Sequence, residues 1–241
     1  MIGILTLSYY LDKQTYQNIS QKYDLTKENT KKAFDENPIL GINLFSLHYE
    51  RWGDVYFFYT TIDLNRLYSA KKDTFVPFDK IDTETFCQLL AKAYQNTFGQ
   101  EITEGISKRE HFYCTYIEYN AHIKCDDADI LMEKLKQGTF TDEQLDINCF
   151  HSYRLKNAFI SFTINKIDKH TIRLCAKCPN TALKKIFKIS GSDEDGNIAH
   201  TELNQVLDKE TAANILYKQV VKFTKPQTPI ELSKENILAA L

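Results

Sequence analysis

One segment constrains this chain more than any other: a run dominated by aromatic and β-branched residues, Phe112–Ile123, leads straight into an amphipathic stretch, Asp126–Gly138. A run this rich in Tyr, Phe and Ile belongs in the middle of a sheet. The stretch after it must then bury its apolar stripe on that sheet as a helix. Acids in its first turn, Lys134 and Lys136 in its last and Gly138 beyond its end suit the helix dipole and a helix stop.

The same strand-then-helix order recurs along the chain. Ile2–Leu11 reads as a strand and Lys13–Phe34 as a polar helix ending before Asn37-Pro38. Ile39–Arg51 and Val55–Asp63 read as strands joined through Trp52-Gly53-Asp54. Phe86, Leu89, Leu90, Ala93, Tyr94 and Phe98 fall at helical spacing and predict a helix over Thr83–Phe98, with Thr83 as N-cap and Gly99 as stop. Cys149–Tyr153, Ala158–Ile164 and Thr171–Lys177 read as a meander followed by a helix at Ala182–Ile189. Lys209–Phe223 and Leu232–Leu241 read as helices parted by Pro226 and Pro229. Together these elements predict an α+β chain, a mainly antiparallel sheet of repeated strand–helix units with helices on one face. That unit spans 1–190 and leaves open two pseudo-related halves; an acidic loop and a C-terminal helical cap occupy 191–241.

Composition narrows the function classes. Tyr and Phe number 14 and 15 against 8 Gly, a balance that favours well-filled strands over glycine-cornered barrels. The net charge is −2, so no global field recruits nucleic acid or an anionic membrane, and any DNA contact must be a local patch. No apolar run long enough to span a bilayer occurs, and Met1–Tyr10 lacks the pattern of a signal peptide, which predicts a cytoplasmic protein with no membrane partner. The six cysteines then read as reduced thiols.

Several stretches, in order, carry a family resemblance. They are Met1–Leu7, Tyr59–Leu67, Tyr113–Glu118 with Ile130–Gly138, Phe159–Phe162 with Asn165-Lys166, Ile172–Leu174 with Cys178-Pro179, and Leu207–Val220. Over most of the chain this resembles the rolling-circle replication initiators of Gram-positive plasmids and phages. The resemblance implies a sheet-based nickase fold in which acidic or His ligands hold Mg²⁺ or Mn²⁺ beside a nucleophilic Tyr, the cation polarising the scissile phosphate. The chain also departs from that pattern. The Arg-x-Asp of the central strand is replaced by a region that reads Phe112-Tyr113-Cys114 with Glu118 its acid. Cys175 stands where an acid follows Arg173-Leu174, and Thr163 where a Tyr is common. These losses imply nicking that is weakened or absent.

Within that frame Tyr153 is the nucleophile candidate, with Arg154 and Lys156 beside it to hold a phosphate; its other reading is a strand Tyr packed on the sheet. Glu118 is the catalytic acid and metal candidate, joined by His122 because alternate strand residues share a face; both also fit a solvated surface. Lys166 and Arg173, on the strands that resemble the family's active-site pair, are expected to touch DNA. So are Lys184, Lys185 and Lys188, which fall within about one helical turn. Cys175-Ala176-Lys177-Cys178 is a CxxC at a strand end, without the helix N-terminus that redox chemistry wants or the second pair that zinc wants. Gly191–Glu202 scans like a calcium loop, but Gly191 holds the first ligand position and calcium is not expected. The sequence thus predicts a replication-initiator-like DNA-binding protein of a plasmid, phage or integrated element. If active it is a tyrosine-dependent, metal-assisted single-strand endonuclease/transferase. The alternative is an inert mobile-element or phage protein that binds a host protein, such as a defence factor; a homodimer is left open.

Overall fold

The computed structural model describes residues 1–26, 29–34, 41–50, 55–69, 76–99, 103, 113–137, 145–149, 152–155, 159–189, 200–224 and 228–241, with backbone alone for 50, 136, 137, 145–149, 152–155 and 223. The first half runs β1 (Ile2–Leu11), α1 (Lys13–Lys22), β2 (Lys31–Ala33), β3 (Ile42–Glu50), β4 (Val55–Asp63), α2 (Leu64–Ser69) and α3 (Thr83–Phe98). The second runs β5 (Tyr113–Lys124), α4 (Ala128–Gln137), β6 (Leu145–Cys149), β7 (Ser152–Leu155), β8 (Ser161–Asp168), β9 (Thr171–Pro179) and α5 (Asn180–Ile186). After it come β10 (Thr201–Glu202), α6 (Leu203–Val206), α7 (Lys209–Thr224) and α8 (Lys234–Ala240).

All strand pairs are antiparallel, in the order β2-β3-β4-β1-β5-β9-β8-β7-β6, with β10 beside β5. The order repeats: β3-β4-β1 in the first half matches β8-β9-β5 in the second, and the halves meet where β1 pairs antiparallel with β5. An approximate two-fold axis therefore passes between β1 and β5. One sheet runs through both halves, and the C-terminal segment contributes a strand to it through β10 rather than only capping it.

Alternation decides which face is covered. Leu5, Leu7 and Tyr9 of β1, Phe45 and Leu47 of β3, Phe58 and Ile62 of β4, Ile117, Tyr119 and Ala121 of β5, Phe162 and Ile164 of β8, and Ile172, Leu174 and Ala176 of β9 are all buried on one face. The long helices pack there. Tyr94 of α3 shares a buried hydroxyl cluster with Tyr9 (2.6 Å) and Thr60, tying α3 to β1 and β4. Tyr23, at the end of α1, rests on Phe45 and Phe98. The Tyr119 hydroxyl donates to the Val206 carbonyl at 2.8 Å and its ring stacks on Phe78. No helix among the described residues is long and apolar enough to cross a membrane.

The α+β fold with a mainly antiparallel sheet stands as the alternation predicts, and β4 and α3 fall on their expected bounds. Other elements differ for local reasons. The polar helix expected to reach Phe34 stops at Lys22: Asp24 turns to φ 51, and Lys31–Ala33 is recruited as an edge strand on β3. Asp82, not Thr83, caps α3, because its carboxylate accepts from the Thr85 amide at 2.7 Å. The strand expected at Cys149–Tyr153 is instead the return of a hairpin, Leu145–Cys149 against Ser152–Leu155. The Trp52-Gly53-Asp54 turn and the Gly191–Asn197 loop lie outside the described residues.

Candidate nucleic-acid interface

The other face of the sheet is the candidate site, and its character changes across the two-fold axis. In the first half it carries rings. Register places His48, Phe57 and Tyr10 in one row across β3, β4 and β1. Tyr59 stands two residues along β4, and Tyr113 of β5 and His200, just before β10, extend the set. The ring centroids form a ladder: His48 to Tyr59 5.1 Å, Tyr59 to Phe57 6.1 Å, Phe57 to Tyr10 4.9 Å, Tyr10 to Tyr113 5.8 Å and Tyr113 to His200 4.5 Å. Tyr10 and His200 are also hydrogen-bonded, Oη to Nε2 at 2.9 Å. His48 is exposed and Tyr10, Tyr59, Tyr113 and His200 are half-buried, so these five present surface, while Phe57 is buried beneath them and joins the β3 and β1 rings. Lys31, in register with Ser46, borders this half.

In the second half the matching row, the third residue of β9 and its partners, is Asn165, Arg173 and His122. The next row is Thr163, Cys175 and Asn120, followed by Ser161, Lys177 and Glu118. Polar groups thus stand where the first half has rings. Glu118 accepts from Asn120 Nδ2 at 3.1 Å and lies 3.8 Å from the Lys177 ammonium. Gly3 makes room for this pair: a Cβ there would sit 3.0 Å from Asn120 Nδ2 and 3.2 Å from Glu118 Oε1. Burial, then Arg173, the terminal amine and Lys124, hold the His122 imidazole below its ordinary value, so it adds no charge near neutral pH. Asp63, another acid of this face, is occupied by the first turn of α2 and by Arg66 at 3.6 Å, and Glu202 of β10 stands opposite Tyr113 at the end of the ladder.

The expected catalytic set is not brought together. Tyr153 is paired with Ile164, which pairs with Leu174 and through it with Ala121, a row of the helix-covered face. Glu118 heads a row of the open face, so alternation assigns the two positions to opposite faces. Nor do Glu118 and His122 fit one divalent cation. Four residues along one strand separate their backbones by about 13 Å, and Arg173, Lys124 and Lys177 crowd that neighbourhood with positive charge. Among the described residues no three His, Cys, Asp or Glu side chains are grouped to hold a metal. The buried tyrosines among the described residues do not favour a phenolate. Burial, then Glu118, raises the Tyr116 hydroxyl, and burial likewise raises Tyr9, Tyr94 and Tyr119.

The basic set divides. Arg173 faces the open side; Lys166 does not, since its register partner is the buried Ile172 and its ammonium binds Asp129 on α4 at 2.6 Å. The Arg154 position falls in the open-face row of Thr163, while Lys156 lies outside the described residues. α5 leaves β9 at Pro179 and packs against β5, β9 and β10, which puts Lys184, Lys185 and Lys188 at the end of the sheet where the ladder reaches Tyr113 and His200. Lys185 sits over the Phe159 ring at 3.3 Å.

The CxxC is split by the same alternation: Cys175 belongs to the open face and Cys178 to the covered one. Burial pushes each thiol up to about 12, which removes thiolate reactivity. In a Cys149→Ser background, Ellman's reagent is expected to reach the half-buried Cys87 and Cys125 in the native protein and to reach Cys114, Cys175 and Cys178 only on unfolding. Rapid loss of two coupled thiols to a disulfide would contradict this arrangement.

The ladder is the part that sequence reading missed. Its signal was present as Phe57 and Tyr59 at alternate positions of one strand and Tyr10 at the end of another, but only register shows that they adjoin. Set against protein-family models, curated proteins and solved structures, the chain matches none.

Proposed function

We propose that this chain is a replication-initiator-like protein of a mobile element that binds single-stranded DNA across the open face of its sheet, with nicking weakened or lost. The observation that carries this reading is the ring ladder from His48 to His200. Bases stack on exposed rings whatever their identity, and a row of rings on an open sheet suits an unpaired strand better than a duplex. Lys31 on one side and Lys184, Lys185 and Lys188 at the far end of the ladder supply phosphate contacts that the net charge of −2 does not.

A fluorescein-labelled mixed-sequence oligonucleotide tests this by anisotropy. Binding is expected for the single strand, to weaken as salt rises, and to be much weaker for the same sequence as duplex. With Mn²⁺ present no covalent protein–DNA adduct is expected. Equal affinity for duplex and single strand, or no binding at low salt, overturns the proposal and turns attention to a host-protein partner. An adduct that Tyr153→Phe abolishes restores the nickase instead.

A further inference from the structure

Among its described residues the polar half of the open face holds a buried acceptor and a buried donor whose hydrogen-bonding needs are unmet. Asn120 is fully buried, and its Oδ1 has no partner among the described residues. Its amide orientation is fixed, because Nδ2 donates to Glu118 Oε1 and a turned amide would set oxygen against carboxylate. Arg173 has a buried Nε that likewise lacks a partner, and it makes no ion pair with any described residue. The two are diagonal neighbours, Asn120 opposite Cys175 and Arg173 opposite His122, at roughly 7–8 Å between backbones. A lone acceptor beside a lone donor, both desolvated, is a costly arrangement unless a ligand completes it.

Ligand classes separate on this chemistry. A phosphate satisfies Arg173 but turns its oxygens on Asn120 Oδ1 and on the Glu118 carboxylate. A cation satisfies Asn120 but is opposed by Arg173 and Lys177. The edge of a nucleobase offers a donor and an acceptor side by side and meets both. We infer that, on the single-strand-binding reading above, Asn120 and Arg173 form a pocket that reads the edge of one base of the bound strand, next to the ladder that stacks the others. Asn120 Oδ1 accepts from the base and Arg173 donates to it. Lys177 holds Glu118, and Glu118 keeps the amide turned; Cys175, a neutral thiol, lies between them.

The test uses the full chain and homopolymers of dC, dA and dT of equal length. Wild type is expected to discriminate about tenfold between the best and worst of them. Arg173→Lys, which removes Nε–H and keeps the charge, and Asn120→Ala are expected to level the three affinities. The Arg173 residue is half-buried, so its variant carries the result where Asn120→Ala does not fold. Equal affinities in wild type overturn the pocket. So does discrimination that survives in Arg173→Lys, which assigns it to stacking, or a uniform loss over all three homopolymers, which assigns Arg173 to a phosphate. If no homopolymer binds, the single-strand reading itself fails.

Discussion

Tyr10→Leu and Tyr59→Leu are each expected to weaken single-stranded DNA binding about 5- to 150-fold, the effect of about 1–3 kcal/mol for one base that loses its aromatic partner. Leucine keeps apolar cover over the sheet, so the loss reports the ring and not a hole. Tyr10 is the larger of the two, because it joins the β4 rings to Tyr113 and His200. Tyr49→Leu is the control. Tyr49 is exposed and stacked on Tyr56, but its row belongs to the helix-covered face. Anisotropy titrations should therefore leave it at wild-type affinity. A loss in Tyr49→Leu equal to that in Tyr10→Leu means that the rings bind DNA through no particular face, and the ladder has no special role.

Gly41→Ala is expected to cost about 2–5 kcal/mol, a large fraction of the roughly 5–15 kcal/mol by which a folded protein is ordinarily stable. Gly41 has φ +90, where an L side chain is strained by about 1–2 kcal/mol. A Cβ there would also lie 2.7 Å from the Leu67 amide nitrogen and 2.8 Å from the Asp63 carbonyl oxygen. These are backbone atoms of β4 and α2 and cannot swing aside, so overpacking adds about 1–3 kcal/mol. Gly99→Ala supplies the comparison: the same φ, +91, but only Lys22 Nζ within reach at 3.9 Å. It should show the strain alone. Urea midpoints at matched slope check both, and equal midpoints for the two variants would refute the close approach at Gly41.

The element order was legible in the sequence because burial writes itself as alternation and helical spacing. Val55–Asp63 and Thr83–Phe98 show this well, with Phe58, Thr60 and Ile62 facing in and Phe86, Leu90, Ala93 and Tyr94 on one stripe. Lys31–Ala33 was not legible, since an edge strand held by backbone pairing needs no apolar pattern. The site was less legible than the fold for a related reason. Whether Tyr153 shares a face with Glu118 depends on the pairing of β7, β8, β9 and β5, and one residue of register reverses the answer. The choice of Glu118 found the polar half of the open face. Its neighbours there, Asn120, Cys175 and Lys177, come from strand pairing rather than from any motif.

β1 is an interior strand of the sheet, with β4 on one side and β5 on the other, and it is made before either of them. Its partners arrive late. At about 5–20 residues per second of synthesis, roughly 5–20 s separate the emergence of β1 from that of Tyr113, the first residue of β5. Throughout that interval one edge of β1 is an unpaired template beside Leu5, Leu7 and Tyr9. Between the emergence of β1 and that of β5 the nascent chain therefore carries an open edge prone to aggregation, and a holdase that covers β1 in that interval should raise the yield of folded protein.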